Sequence, residues 1–119
     1  MFFPIRDNNP TIRKPYLTVA LIVVNALAFF ASYFQGGNGF QMAVVNYGYI
    51  PNLYLNPSEY SAAPPSLWLT PLSSMFMHGG WMHLIGNMVF LWIFGNNIED
   101  YFSRIKFLIF YILSGVAAI

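Results

Sequence analysis

The sequence predicts an all-α membrane protein, with three apolar helical segments and a long first loop lying on the membrane. Three observations carry that prediction. Of 119 residues, 57% are hydrophobic and only 8% are charged, against roughly 25% charged in ordinary soluble domains. Apolar runs near the length of a membrane span recur along the chain. The segment between the first two runs is rich in tyrosine and carries a tryptophan, side chains that favour the headgroup level. The net charge is +1 and no basic cluster stands out, so the sequence carries no footprint of a nucleic-acid partner. Cysteine is absent, which removes disulfides, cysteine nucleophiles and thiolate metal sites from consideration.

Residues 1–16 read as an N-terminal segment carrying Arg6, Arg13 and Lys14. The first helix is expected over 17–34, an apolar run of 18 residues from Leu17 to Phe34 that holds the polar Asn25 and meets the length of a span. A cleaved signal peptide is the rival, because Ala26-Leu27-Ala28 resembles a cleavage site. An uncleaved anchor is favoured because the apolar run continues through Phe29, Phe30, Tyr33 and Phe34. Asn25 is expected to face another helix rather than lipid.

Residues 35–69 change character. Gly36, Gly37 and Gly39 break the helix, and Pro51, Pro57, Pro64 and Pro65 punctuate the rest of the segment. It still holds Phe40, Tyr47, Tyr49, Tyr54, Tyr60 and Trp68, with Glu59 its only charge. Such a loop is expected to lie on the membrane with short helical turns. The second helix is expected over 72–96 and the third over 101–119. From Phe107 to Ile119 there are 13 residues, short of a span. Ser114, Gly115, Ala117 and Ala118 give that helix a face suited to close packing. The third run therefore reads as a helix cut off within the membrane, and the sequence as an incomplete domain of a larger bundle.

Orientation follows from the basic residues. Three precede the first helix, two lie at Arg104 and Lys106, and none lies in the loop. The positive-inside rule places the N-terminus and the 97–106 link in the cytoplasm, and the loop and His78 outside. The expected location is the plasma (inner) membrane. Asn97, Glu99 and Asp100 are read as the start of the third helix, with the acids near its positive dipole end.

The most informative stretch runs from His78-Gly79-Gly80-Trp81-Met82-His83 through Leu84-Ile85-Gly86-Asn87. Imidazoles and a carboxamide are costly in hydrocarbon, so their default reading is functional. His83 and Asn87 are four apart and share one helix face. Gly86 beside them lets a neighbouring backbone approach. The bland alternative is an interhelical hydrogen bond, which for Asn87 alone stands level with a functional role. Both side chains can also donate to an oxyanion in acyl transfer. No G-x-S-x-G elbow and no implied Ser–His pairing accompanies them. Ser114 reads as a packing residue, and Ser73 and Ser74 as capping or turn residues. A separate reading takes Met75, Met77, His78, Met82, His83 and Met88 as a soft-ligand cluster suited to Cu(I). It is disfavoured because methionine is common as flexible packing and Met82 and Met88 lie on different faces.

The run from Leu72 to Asn87, continued by Leu91-Trp92-Ile93-Phe94-Gly95-Asn96-Asn97-Ile98-Glu99-Asp100, resembles the rhomboid intramembrane serine proteases. The likeness is strong over roughly 68–118 and weak before that. It implies a six-helix bundle, of which this chain would hold three helices. It implies a serine nucleophile in a G-x-S-G motif opening the fourth helix and a histidine base on the sixth. His83 and Asn87 match the second-helix pair that supports the oxyanion. His78 matches a histidine at the outer start of that helix with a structural role. Glu99 matches a structural acid at its cytoplasmic exit. The family's first loop often carries a Trp-Arg pair, whereas here Leu69 follows Trp68.

The resemblance implies an endopeptidase acting on membrane-spanning proteins, with no cofactor, no metal and no nucleic-acid partner. Its partners would be its substrates, the lipid bilayer and the remaining helices of the fold. Without nucleophile and base, this segment alone is expected to be inert. A catalytically inactive rhomboid-like protein that binds membrane clients is the alternative, and the Cu(I) module a lower one.

Overall fold

The computed structural model describes residues 8–59 and 67–119. Arg6 of the N-terminal segment and Tyr60, Pro64 and Pro65 of the loop lie outside the described residues. The described structure is helical throughout: α1 (Tyr16–Tyr33), α2 (Gly39–Tyr47), α3 (Pro51–Leu55), α4 (Thr70–Ser73), α5 (Trp81–Phe102) and α6 (Arg104–Ala117), with single 3-10 turns at 57–59, 67–69 and 74–76.

α1 begins after Pro15, whose missing N–H costs nothing at a helix start. It ends where Gly36 and Gly37 take positive φ values of 67° and 49°, a conformation that glycine adopts without penalty. Among the described residues, α1 is the one helix long and apolar enough to cross a membrane by length and composition. α5 has 22 residues, about 33 Å at 1.5 Å per residue, but Asn87, Asn96, Asn97, Glu99 and Asp100 dilute its apolar character.

The expected second helix over 72–96 is displaced. The chain turns through α4 and the 74–76 turn, becomes extended at Met77 (φ −91°, ψ 134°), and enters α5 only at Trp81. The consecutive glycines Gly79 and Gly80 explain the break, since each weakens a helix interior by about 1 kcal/mol relative to alanine. At the other end α5 continues past Asn97, Glu99 and Asp100 to Phe102. Those residues therefore do not start the third helix. A single residue, Ser103, makes the turn into α6 with φ 72° and ψ 162°. Within the loop, α2 and α3 supply the expected helical turns.

α1 and α5 run antiparallel and are pinned at both ends. At one end the Trp81 ring packs against Phe29, Phe30 and Tyr33, with centroids 5.0, 5.6 and 5.4 Å away. At the other, Glu99 reaches the first turn of α1. One turn before Glu99, at the same end, Gly95 lets α1 in: a Cβ there would lie 3.1 Å from Thr18 Cγ2. Among the described residues this close approach of α1 occurs at Gly95. Among the described residues nothing comes within 4 Å of a Cβ placed at Gly86.

Leu21, Phe29, Leu84, Ile93 and Phe107 form the buried core. The outward faces of the long helices stay apolar at Leu27, Ile85, Phe94 and Leu113, the reverse of a soluble domain's surface. Asn25, 1% exposed, is buried as expected. Its Nδ2 donates to Leu21 O within α1 at 2.7 Å and to the Tyr111 hydroxyl of α6 at 3.3 Å. The loop is tied down by polar contacts. Tyr54 bonds both the Leu67 carbonyl and Thr70 Oγ1, and Ser73 Oγ donates to Tyr47 O at 2.6 Å.

Candidate active site

The break before α5 sets the position of the three polar residues. Trp81, locked among the α1 aromatics, fixes the first turn of α5 and hence the azimuth of His83 and Asn87. His78, outside the helix, folds back toward that face and is 3% exposed. Its Nδ1 lies 3.3 Å from the Phe76 carbonyl. A carbonyl can only accept, so the hydrogen of the neutral ring sits on Nδ1. Nε2 is then an acceptor, and Asn87 Nδ2 donates to it at 3.1 Å. The His83 ring lies edge-on to His78 with centroids 5.1 Å apart. The three side chains therefore form one group.

Burial lowers the pKa of His78 below 6.5, reinforced by the nearby His83 and opposed by the bond to Phe76. The ring is thus held neutral, as its acceptor role at Nε2 requires. Asn87 Nδ2 carries two hydrogens, one engaged by His78 and one with no partner among the described residues. That second hydrogen, with His83, is what the group can offer to developing negative charge.

His83 and Asn87 face an open hollow of about 470 Å³. Its walls come from the 74–77 segment and from Tyr111, Ser114 and Gly115 of α6. Sequence reasoning placed Ser114 only as a packing residue and left Tyr111 unassigned. The i, i+3 spacing of Tyr111 and Ser114, with Gly115 and Ala118 beside them, was the available signal for a shared face. Ser114 Oγ donates to Tyr111 O at 3.0 Å, so its hydrogen is engaged along its own helix. Both nitrogens of His78 are likewise engaged, which leaves the copper reading without its second imidazole.

Glu99 lies at the far end of α5 and is fully buried. Oε1 accepts from Leu17 N at 2.9 Å, and Oε2 accepts from Thr18 N and Thr18 Oγ1, both at 2.8 Å. Pro15 has no N–H, so three N–H groups at the start of α1 lack a partner within the helix, and a carboxylate from another helix satisfies two of them, those of Leu17 and Thr18. Next to it, Asp100 accepts from Ile12 N and Arg13 N at 3.2 and 2.7 Å. Of the acids expected to open the third helix, Glu99 instead caps the first, and Asp100 ties down the segment before it.

The Rhomboid domain family matches residues 65–119, the segment holding His78, His83, Asn87 and Glu99. The chain is similar to rhomboid protease GluP of Bacillus subtilis (strain 168), with 27% identity over 103 residues. That match covers 87% of this chain, and the chain spans 19% of the length of that relative. No solved structure matches the chain. The chain thus carries a rhomboid domain over residues 65–119, and a distant homology to a rhomboid protease extends over most of its length.

Proposed function

We propose that these residues form the oxyanion-side part of an intramembrane serine endopeptidase that cleaves membrane-spanning proteins near the outer face. The observation that carries the reading is the His78–Asn87–His83 group facing a hollow within the rhomboid-matched segment. α1, α5 and α6 are three transmembrane helices of a six-helix bundle, and the loop before α5 lies on the membrane. Residues 1–119 are an incomplete rhomboid-like domain with a cytoplasmic N-terminus, in the plasma (inner) membrane. The substrate enters from the bilayer, and the remaining helices of the fold close the site.

In this reading a serine from another helix attacks the scissile carbonyl, and its proton passes to a histidine base. The carbonyl π electrons move to oxygen, and the oxyanion accepts from Asn87 Nδ2–H and from His83. Collapse restores the carbonyl, breaks the C–N bond and returns the proton to the leaving amine; water then attacks the acyl-serine, gives its proton to the histidine, and the ester C–O bond breaks as the serine is reprotonated. His78 and Gly86 shape the site, and Glu99 holds α1 against α5.

The test uses the full-length protein in detergent with a transmembrane reporter substrate and a fluorophosphonate that labels activated serines. Each of His83→Ala and Asn87→Ala should lower kcat by about 100- to 1000-fold in protein that thermal unfolding shows is still folded at the assay temperature. Cleavage unchanged in both variants would sink the oxyanion assignment. Absence of labelling and cleavage in the parent protein would favour the inactive, client-binding alternative.

A further inference from the structure

We infer that the corner where α1 meets the α5–α6 turn binds the headgroups of acidic phospholipids. In sequence the basic residues are scattered, but the fold gathers Arg13, Lys14, Arg104 and Lys106 at one end of the bundle. The gathering follows from the two acids. Asp100 holds the backbone of Ile12 and Arg13, and Glu99 holds that of Leu17 and Thr18. The 12–18 stretch is thereby laid against residues 99–104, more than 80 positions away in sequence.

That arrangement separates the charges. Glu99 is fully buried, and both Asp100 oxygens accept backbone N–H groups. Arg13, Lys14, Arg104 and Lys106 all remain exposed. Arg104 has its guanidinium 5.0 Å above the Tyr16 ring and its Nε 3.6 Å from Glu99, and its side chain is still 55% exposed. The acids thus face the protein and the cations face outward.

The surroundings of the cations are apolar. Ile12 is 96% exposed, Tyr101 84% and Ile105 75%. Exposed tyrosine and isoleucine beside lysine and arginine suit the boundary between headgroups and acyl chains. A soluble anion would find the cations but leave those apolar groups in water. A phospholipid satisfies both, because its phosphate meets the cations and its glycerol and acyl region meets Ile105 and Tyr101. A net negative headgroup, rather than a zwitterion, complements a corner whose own acids are engaged.

The inference rests on the membrane placement proposed above, and the experiment separates the two. The protein is reconstituted into phosphatidylcholine vesicles and into vesicles containing phosphatidylglycerol, and bound lipid is counted by native mass spectrometry. The test variant is Arg13→Gln/Lys14→Gln/Lys106→Gln, which leaves Arg104 and its contacts in place. The parent should retain phosphatidylglycerol preferentially, and the variant should lose about tenfold or more of that preference. Added salt should weaken the preference, and soluble glycerol phosphate at equal concentration should not compete.

Entry into neutral vesicles with equal retention of both lipids would overturn this inference alone. So would full competition by glycerol phosphate, which would show a simple anion site. Failure to enter neutral vesicles would overturn the membrane placement, and this inference with it.

Discussion

Glu99 Oε2 accepts two hydrogen bonds from Thr18, one from its backbone N–H and one from its hydroxyl, both at 2.8 Å. This contact, not the nearby ion pair, holds the start of α1 against α5. The Arg104 partner stands 3.6 Å away and is more than half exposed, and such pairs are worth about 0–1 kcal/mol. Hydrogen bonds to a charged acceptor are worth about 1.5–3 kcal/mol each.

Replacing Glu99 by glutamine keeps the shape and removes the charge. One amide oxygen can still accept, but the amide nitrogen must then face an N–H donor. Glu99→Gln should therefore destabilise the protein by about 2 kcal/mol, read as thermal unfolding in detergent. Arg104→Gln should cost less than half of that. Equal losses in the two variants would show that the ion pair carries the contact.

The turn into α6 carries a cost of its own. Ser103 has φ 72° and ψ 162°, a region populated almost only by glycine and worth about 1–3 kcal/mol for other residues. Ser103→Gly should raise stability by about 1 kcal/mol, and Ser103→Ala should not. The same thermal assay decides the matter, and a loss of stability in Ser103→Gly would show that the hydroxyl contributes more than the strain removes.

The polar residues of α5 were legible in the sequence because they interrupt an apolar run, and their spacing alone put His83 and Asn87 on one face. The bond between Asn87 and His78 was not legible. Those residues are nine apart and meet only because Gly79 and Gly80 break the helix and turn His78 back. Glu99 was read against its neighbours in sequence, as an acid at a helix start. Its partner instead lies 81 residues earlier, a distance that no local rule reaches. The choice between Gly86 and Gly95 likewise depended on where α1 crosses.

Glycine substitutions separate rigid contacts from yielding ones. A Cβ at Gly95 would press on Thr18 Cγ2 and Oγ1 at 3.1 and 3.2 Å, and Thr18 is fixed by Glu99. A Cβ at Gly115 would meet the end of the Met75 side chain, which can swing aside. Gly95→Leu should therefore cost about 1–3 kcal/mol or more, and Gly115→Ala less than about 1 kcal/mol. Unfolding temperatures in detergent test the ranking, and the reverse order would mean that α1 yields where Met75 does not.

His78 should make stability depend on pH. It precedes α5, and burial lowers its pKa from 6.5 in the folded protein. The unfolded chain therefore takes up a proton near pH 6.5 while the folded chain stays neutral to lower pH. Where the unfolded state binds more protons, stability rises with pH. The contribution of His78 is complete above 6.5, declines as pH falls through that value, and levels off below the folded pKa. Protonation at Nε2 would also replace the acceptor for Asn87 by a donor, so the amide would lose the partner that orients it. His78→Gln removes the titrating group. Unfolding temperatures measured from about pH 8 to about pH 5 should fall more steeply for the parent than for the variant, even though the variant starts lower. The two proteins differ at this position alone, so the difference between the curves isolates His78. Parallel curves would show that His78 is not held neutral by its surroundings.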